Sequence, residues 1–127
     1  MSALIVADEV VHYEVLGRGR PLIFVHGWLG SWRYWIPTMQ ALSGDYRTYA
    51  LDLWGFGDTS KIAGRYGLEA QADLLGGFME QLGILKGAFV GHGLGGIEAA
   101  RFALKNPALV DRLMAVSVPV RGASVSS

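Results

Sequence analysis

The spacing of hydrophobic positions changes several times along this 127-residue chain, and each change marks an element. Leu4 to Ala7 is a short apolar run. From Val10 to Leu16 the chain alternates, with Val11, Tyr13 and Val15 set against His12 and Glu14. A period of two with one polar side predicts an antiparallel, half-exposed strand at the start of a sheet, and puts His12 at the surface. After the turn Gly17-Arg18-Gly19-Arg20-Pro21, the run Leu22-Ile23-Phe24-Val25 is continuous and apolar, as expected of a strand buried on both faces of a parallel sheet.

Helical spacing follows. Ser31 is a suitable N-cap for a helix through Trp32, Trp35 and Met39 to Leu42, with Pro37 marking its true start or a kink. Arg47 to Leu53 reads as a strand and runs into a turn-rich loop, Asp52 to Ser60. Tyr66 to Leu82 has a stripe of Leu68, Ala72, Leu75, Met79 and Leu82. Gly76 and Gly77 interrupt it at about 1 kcal/mol each relative to alanine. The apolar stretch Gly87 to Gly91 ends in glycines, and a helix begins at once and runs to Lys105, stopped by Asn106-Pro107. A last strand, Leu113 to Val118, is ended by Pro119. Strands alternating with helices predict a three-layer α/β/α sandwich on a mostly parallel sheet of about six strands.

Composition narrows the class. Hydrophobic residues make up 51% and charged residues 17%, so the chain is globular rather than disordered. Eleven basic residues balance eleven acidic ones, leaving no electrostatic footprint for nucleic acid or an anionic membrane. With no cysteine there is no disulfide framework, no thiolate metal site and no cysteine nucleophile. No metal or cofactor is expected. Asp8 and Glu9 near the N-terminus do not fit a signal peptide, and no apolar stretch is long enough to span a bilayer. These features predict one soluble, cytoplasmic domain over residues 1–127.

Three motifs stand in order: His26-Gly27-Trp28, Asp52-Leu53-Trp54-Gly55-Phe56-Gly57-Asp58-Thr59-Ser60, and Gly91-His92-Gly93-Leu94-Gly95-Gly96. Together they resemble the α/β-hydrolase fold superfamily, in its esterase, epoxide-hydrolase and haloperoxidase-like branch, whose versions read H-G-x, D-x-x-G-x-G-x-S and G-x-S-x-G-G. The resemblance covers almost the whole chain but only the first part of the family's sheet. It implies a nucleophile elbow, a sharp strand-to-helix turn that exposes a serine. Here the nucleophile position is Gly93.

The resemblance further implies an oxyanion hole from the backbone N–H groups of Trp28 and Leu94, two donors aimed at charge that develops in the transition state. His26, Gly27, Trp54, Phe56 and His92 are expected around the pocket, able to receive a small apolar ligand. Trp32 and Trp35 are expected to serve as packing. Asp52 is expected to hold the loop after its strand. The family's base and acid come later than this chain reaches, and Ser117 and Pro119 offer no carboxylate near the last strand. With no nucleophile, acid or base at the family positions, the chain is expected to be inactive, its parent a serine esterase-like hydrolase of small esters.

Two other readings stand beside this one. Gly91, Gly93 and Gly96 also match G-x-G-x-x-G, with Asp111 about twenty residues on, as in a dinucleotide-binding turn. The fold could instead be a non-catalytic binding or assembly module. A complete family member is roughly twice as long. A core of this extent is therefore expected to leave the last strand as an open edge and one sheet face bare, and to form a homodimer or higher oligomer.

Overall fold

The structure, a computed structural model, describes residues 2–27, 31–61 and 67–116. Strands β1 (Ser2–Val6), β2 (Glu9–Gly17), β3 (Arg20–Val25), β4 (Tyr46–Leu51), β5 (Gly87–His92) and β6 (Val110–Val116) form one sheet in the order β1-β2-β4-β3-β5-β6. β1 and β2 are antiparallel, as are β2 and β4, while β4, β3, β5 and β6 run parallel. The two-residue connection between β1 and β2 has Ala7 and Asp8 both at positive φ, the mirror-image turn whose twist matches the strands it joins.

Three helices flank the sheet: α1 (Ile36–Leu42), α2 (Leu68–Leu82) and α3 (Leu94–Lys105). Side chains alternate across the strands, so two separate cores form. Ile23, Val25, Leu51 and Phe89 face α2 and α3 in the larger core, with Leu75, Phe78 and Phe102 packed on them. Leu22, Phe24 and Ala50 face the other way, against Trp35 and Met39. The result is the three-layer α/β/α sandwich expected, with one side more thinly covered. No helix among the described residues is long and apolar enough to cross a membrane.

Local signals place the helix ends. The Ser31 hydroxyl accepts the Arg33 N–H at 3.3 Å, capping a 3-10 turn over Trp32–Trp35 that leads into α1 with Pro37 in its first turn. Gly76 and Gly77 lie where other elements press close on α2. A β-carbon on Gly77 would stand 2.5 Å from Val6 Cγ1, and one on Gly76 would stand 3.2 Å from Phe102 Cε1.

Several expectations need correction. β4 ends at Leu51 rather than Leu53, and β6 starts at Val110 rather than Leu113. Asp111 is therefore part of a strand and does not precede one. His12 is not a surface residue but is fully enclosed, because the loop after β4 folds over that side of β2. The expected start of α2 at Tyr66 and the stop at Pro119 fall outside the described residues.

Candidate functional site

β5 leads into α3 through a single residue, Gly93, at φ +58° and ψ −125°. This is a region that residues with a β-carbon rarely adopt, so glycine fits where another residue would be strained. Among the described residues outside its own chain neighbours, the nearest atom to a β-carbon there would be Gly27 Cα at 3.8 Å. Gly93 N–H donates to the Val116 carbonyl at 3.0 Å, tying the turn to β6. Leu94 opens α3, so its N–H has no carbonyl four residues back within the helix to donate to. Trp28, its expected companion in an oxyanion hole, lies outside the described residues.

The surrounding glycines answer to packing. A β-carbon on Gly91 would lie 2.5 Å from Gly96 Cα, and one on Gly95 would collide with the carbonyls of Val25 and His26. Strand and helix approach so closely here that side chains are excluded. Parallel pairing from Gly87–Val110 to His92–Val116 sets Asp111 at the opposite end of the sheet from these glycines. A dinucleotide-binding turn needs its acid at the same end as the glycines.

The expected pocket residues divide into two groups. Gly27, His92 and Gly93 come together, since a β-carbon on Gly27 would meet His92 O at 2.8 Å and His92 Nδ1 at 3.0 Å. Tyr34 stacks on the His92 ring, centroids 5.0 Å apart, a neighbour that its sequence position did not announce. Phe56 packs its ring against His26 at 5.1 Å. Trp54 points elsewhere: it is buried in the larger core and lines a separate cavity of about 200 Å3 with Val6, Ala7, Ala70, Asp73 and Leu74. Trp35 packs on Phe24, and Trp32 sets its edge against His12.

His26 is a structural pin. Its Nδ1–H donates to Gly27 O at 2.8 Å, and its Nε2 accepts the Leu53 N–H at 3.0 Å, which fixes a neutral tautomer. Burial lowers its pKa below 6.5, outweighing the Gly27 hydrogen bond and the Asp52 charge, which act in the opposite sense. The ring thereby joins the ends of β3 and β4, the strands that lead into the first two motifs.

Asp52 organises the second motif. Its Oδ1 accepts the Trp32 N–H at 2.7 Å, and its Oδ2 accepts the Asp58 N–H at 3.1 Å and faces His12 Nδ1 at 3.1 Å. On its other side His12 Nε2 meets Glu14 Oε2 at 2.8 Å. Thr59 stands where the D-x-x-G-x-G-x-S pattern ends, and its hydroxyl donates to Asp52 O at 2.8 Å while accepting His12 N–H at 2.9 Å. Gln71 of α2 closes the loop from below, accepting Trp54 N–H at 2.8 Å and donating to Trp54 O at 3.0 Å.

Ligand atoms of His12, Asp52 and Asp58 lie within 4.8 Å of one another, close enough for a cation. In the arrangement seen they are occupied with each other and with backbone donors. The grouping had no sequence signature, because 40 residues separate His12 from Asp52. A further carboxyl, Glu98, is buried one helical turn beyond Leu94; its Oε1 has no partner among the described residues, and burial pushes its pKa up to about 8.

Comparison with known proteins agrees with this geometry. The chain is 36% identical over 103 residues to a soluble epoxide hydrolase of Corynebacterium sp. strain C12, covering 81% of this chain and 36% of that protein. It is 31% identical over 114 residues to a pimeloyl-[acyl-carrier protein] methyl ester esterase of Aliivibrio salmonicida, covering 90% of this chain and 42% of that one. The crystal structure of Cfl2 from Burkholderia cenocepacia superposes with a TM-score of 0.90 at 27% identity, covering 94% of this chain and 42% of that one. The chain thus spans about two fifths of the length of the relatives it matches. The sequence profile of the alpha/beta hydrolase fold matches residues 20–124, and the chain belongs to that family.

Proposed function

We propose that this chain is a hydrolase core from which nucleophilic catalysis has been removed, derived from a serine esterase-like enzyme acting on small esters. One observation carries the reading. Gly93 occupies the tip between β5 and α3 with the backbone angles of an elbow, yet it has no hydroxyl, thiol or carboxylate to attack with. The relatives' names, an epoxide hydrolase and a methyl ester esterase, describe attack on an electrophilic carbon, and that step needs a nucleophile at this tip. On this reading Leu94 N–H, at the start of α3, is left as one donor of the oxyanion hole.

The test is hydrolysis of a p-nitrophenyl ester by this chain, by its Gly93→Ser variant, and by a C-terminally extended form of each. Turnover only when serine and extension are both present supports the reading. Turnover by the present chain, with Gly93 in place, overturns it.

A second reading, a small-molecule binding module, is favoured by the space beside Gly93, where the first atom met among the described residues is Gly27 Cα at 3.8 Å. Its test is saturable quenching of tryptophan fluorescence by short-chain esters with no product formed. Titration with NAD under the same conditions tests the dinucleotide alternative.

A further inference from the structure

His12 stands on β2 with both ring nitrogens turned to carboxylates. Nε2 lies 2.8 Å from Glu14 Oε2, while Nδ1 lies 3.1 Å from Asp52 Oδ2 and 3.4 Å from Asp58 Oδ2. A neutral imidazole carries one N–H, and an ionised carboxylate offers only acceptors. The shorter contact assigns that N–H to Nε2, donating to Glu14. Nδ1 is then a bare lone pair on a residue only 2% exposed, aimed at two carboxylate oxygens with no proton to offer them. Acceptors that converge in this way repel one another unless a positive charge sits among them. Among the described residues, neither Asp52 nor Asp58 has a lysine or arginine within ion-pair range; Arg101 and Lys105 pair with Glu69, elsewhere.

We propose that this cluster binds a zinc ion through His12 Nδ1, Asp52 Oδ2 and Asp58 Oδ2. Ligand bonds of 2.0–2.2 Å in a tetrahedron hold ligand atoms about 3.3–3.6 Å apart. The spacings from Nδ1 are 3.1 and 3.4 Å, and all three atoms lie within 4.8 Å of one another. A donor set that includes imidazole nitrogen suits zinc better than calcium or magnesium, which take oxygen ligands. Glu14 supports the site from outside, receiving the other N–H of the ligating histidine and so fixing its tautomer. Each carboxylate oxygen has two lone pairs, so Asp52 Oδ2 can hold the Asp58 N–H and the ion together, while Oδ1 keeps the Trp32 N–H. The Asp58 side chain, 54% exposed, gives the ion its way in and leaves the fourth position to water.

An ion here would tie β2 to the loop after β4 and, through Asp52, to the turn that begins at Trp32. It needs nothing from the elbow, so the site stands apart from the presence or loss of a nucleophile at Gly93.

Calorimetric titration of the untagged, chelator-treated full chain with zinc chloride tests the proposal. One equivalent should bind and raise the melting temperature. Asp58→Asn keeps the backbone N–H but replaces a charged ligand, and should weaken zinc binding at least about tenfold. Asp45→Asn removes an exposed carboxylate outside the cluster and should leave the affinity as in the parent. Far-UV circular dichroism without metal checks that both variants keep the parent's fold. No saturable binding, several equivalent weak sites, or an affinity unchanged in Asp58→Asn overturns the proposal. The first of these would leave a second proton on His12 as the positive charge of the cluster.

Discussion

A β-carbon on Gly93 would stand 3.8 Å from the α-carbon of Gly27, the nearest atom it would meet among the described residues outside its own chain neighbours. Among the described residues, then, the backbone angles and not crowding resist a side chain at the elbow. Gly93→Ser should fold to the same structure with its unfolding free energy lowered by about 1–3 kcal/mol, the usual cost of a strained non-glycine residue, and its urea midpoint lowered accordingly. A midpoint equal to or above the parent's would show that glycine relieves no strain here.

Glu98 sets a slope on the alkaline side. Its folded pKa, about 8, lies above the ordinary value of 4.5, so the folded chain holds a proton that the unfolded chain releases. Stability from this group is full below pH 4.5, falls as pH rises to about 8, and is constant beyond. The Glu98→Gln variant should lack that slope, its advantage over the parent growing by roughly 1 kcal/mol per pH unit across the window. Parallel urea curves at pH 5, 6.5 and 8 measure it, and a pH-independent difference would rule it out.

His26 acts in the opposite direction. Its folded pKa is lowered below 6.5, so as pH falls through that value the unfolded chain gains a proton that the buried ring refuses, and stability declines. His26→Ala should remove the acid-side slope but leave the buried Leu53 N–H without an acceptor, a loss of about 1–3 kcal/mol at neutral pH. Retention of the slope in the variant would assign it to another group.

Asp52 should outweigh every other polar residue in the loop. Asp52→Ala leaves the N–H groups of Trp32 and Asp58 unpaired and removes a carboxylate from His12, for a loss of about 3–5 kcal/mol. His12→Ala removes one partner of the same network and should cost about half as much, with non-additive losses in the double variant. Denaturant midpoints of the three variants measure this, and strict additivity would contradict a shared network.

Gly91→Ala and Gly95→Ala should both damage the fold itself, since their β-carbons meet backbone atoms of Gly96, Val25 and His26 that have nowhere to move. Overpacking of this kind costs about 1–3 kcal/mol or more. Folded, stable variants would show that strand and helix can separate.

Local chemistry was readable wherever one residue decides a backbone. Ser31, Pro37 and Asn106-Pro107 mark helix ends in the sequence and do so in the fold. The start of β6 was not readable, because Val110-Asp111-Arg112 breaks the apolar run. An edge strand pairs on one side only and tolerates charge there, and a register shift between Gly87 and Ala88 lets Val110 join. Gly76 and Gly77 read as a cost to α2, while in the fold Val6 stands too close to Gly77 for a β-carbon unless it shifts, and Phe102 packs tightly on Gly76.

The sequence by itself determined the order of strands and helices, the elbow between β5 and α3, and the missing hydroxyl at Gly93. Each of these depends on neighbours a few residues apart. Only the tertiary structure decided that His12 is enclosed beside Asp52 and that Trp54 turns toward β1 and α2. Hydrophobic period tells which side of a strand is apolar but not what covers either side. That cover comes from residues tens of positions away, brought there by the sheet.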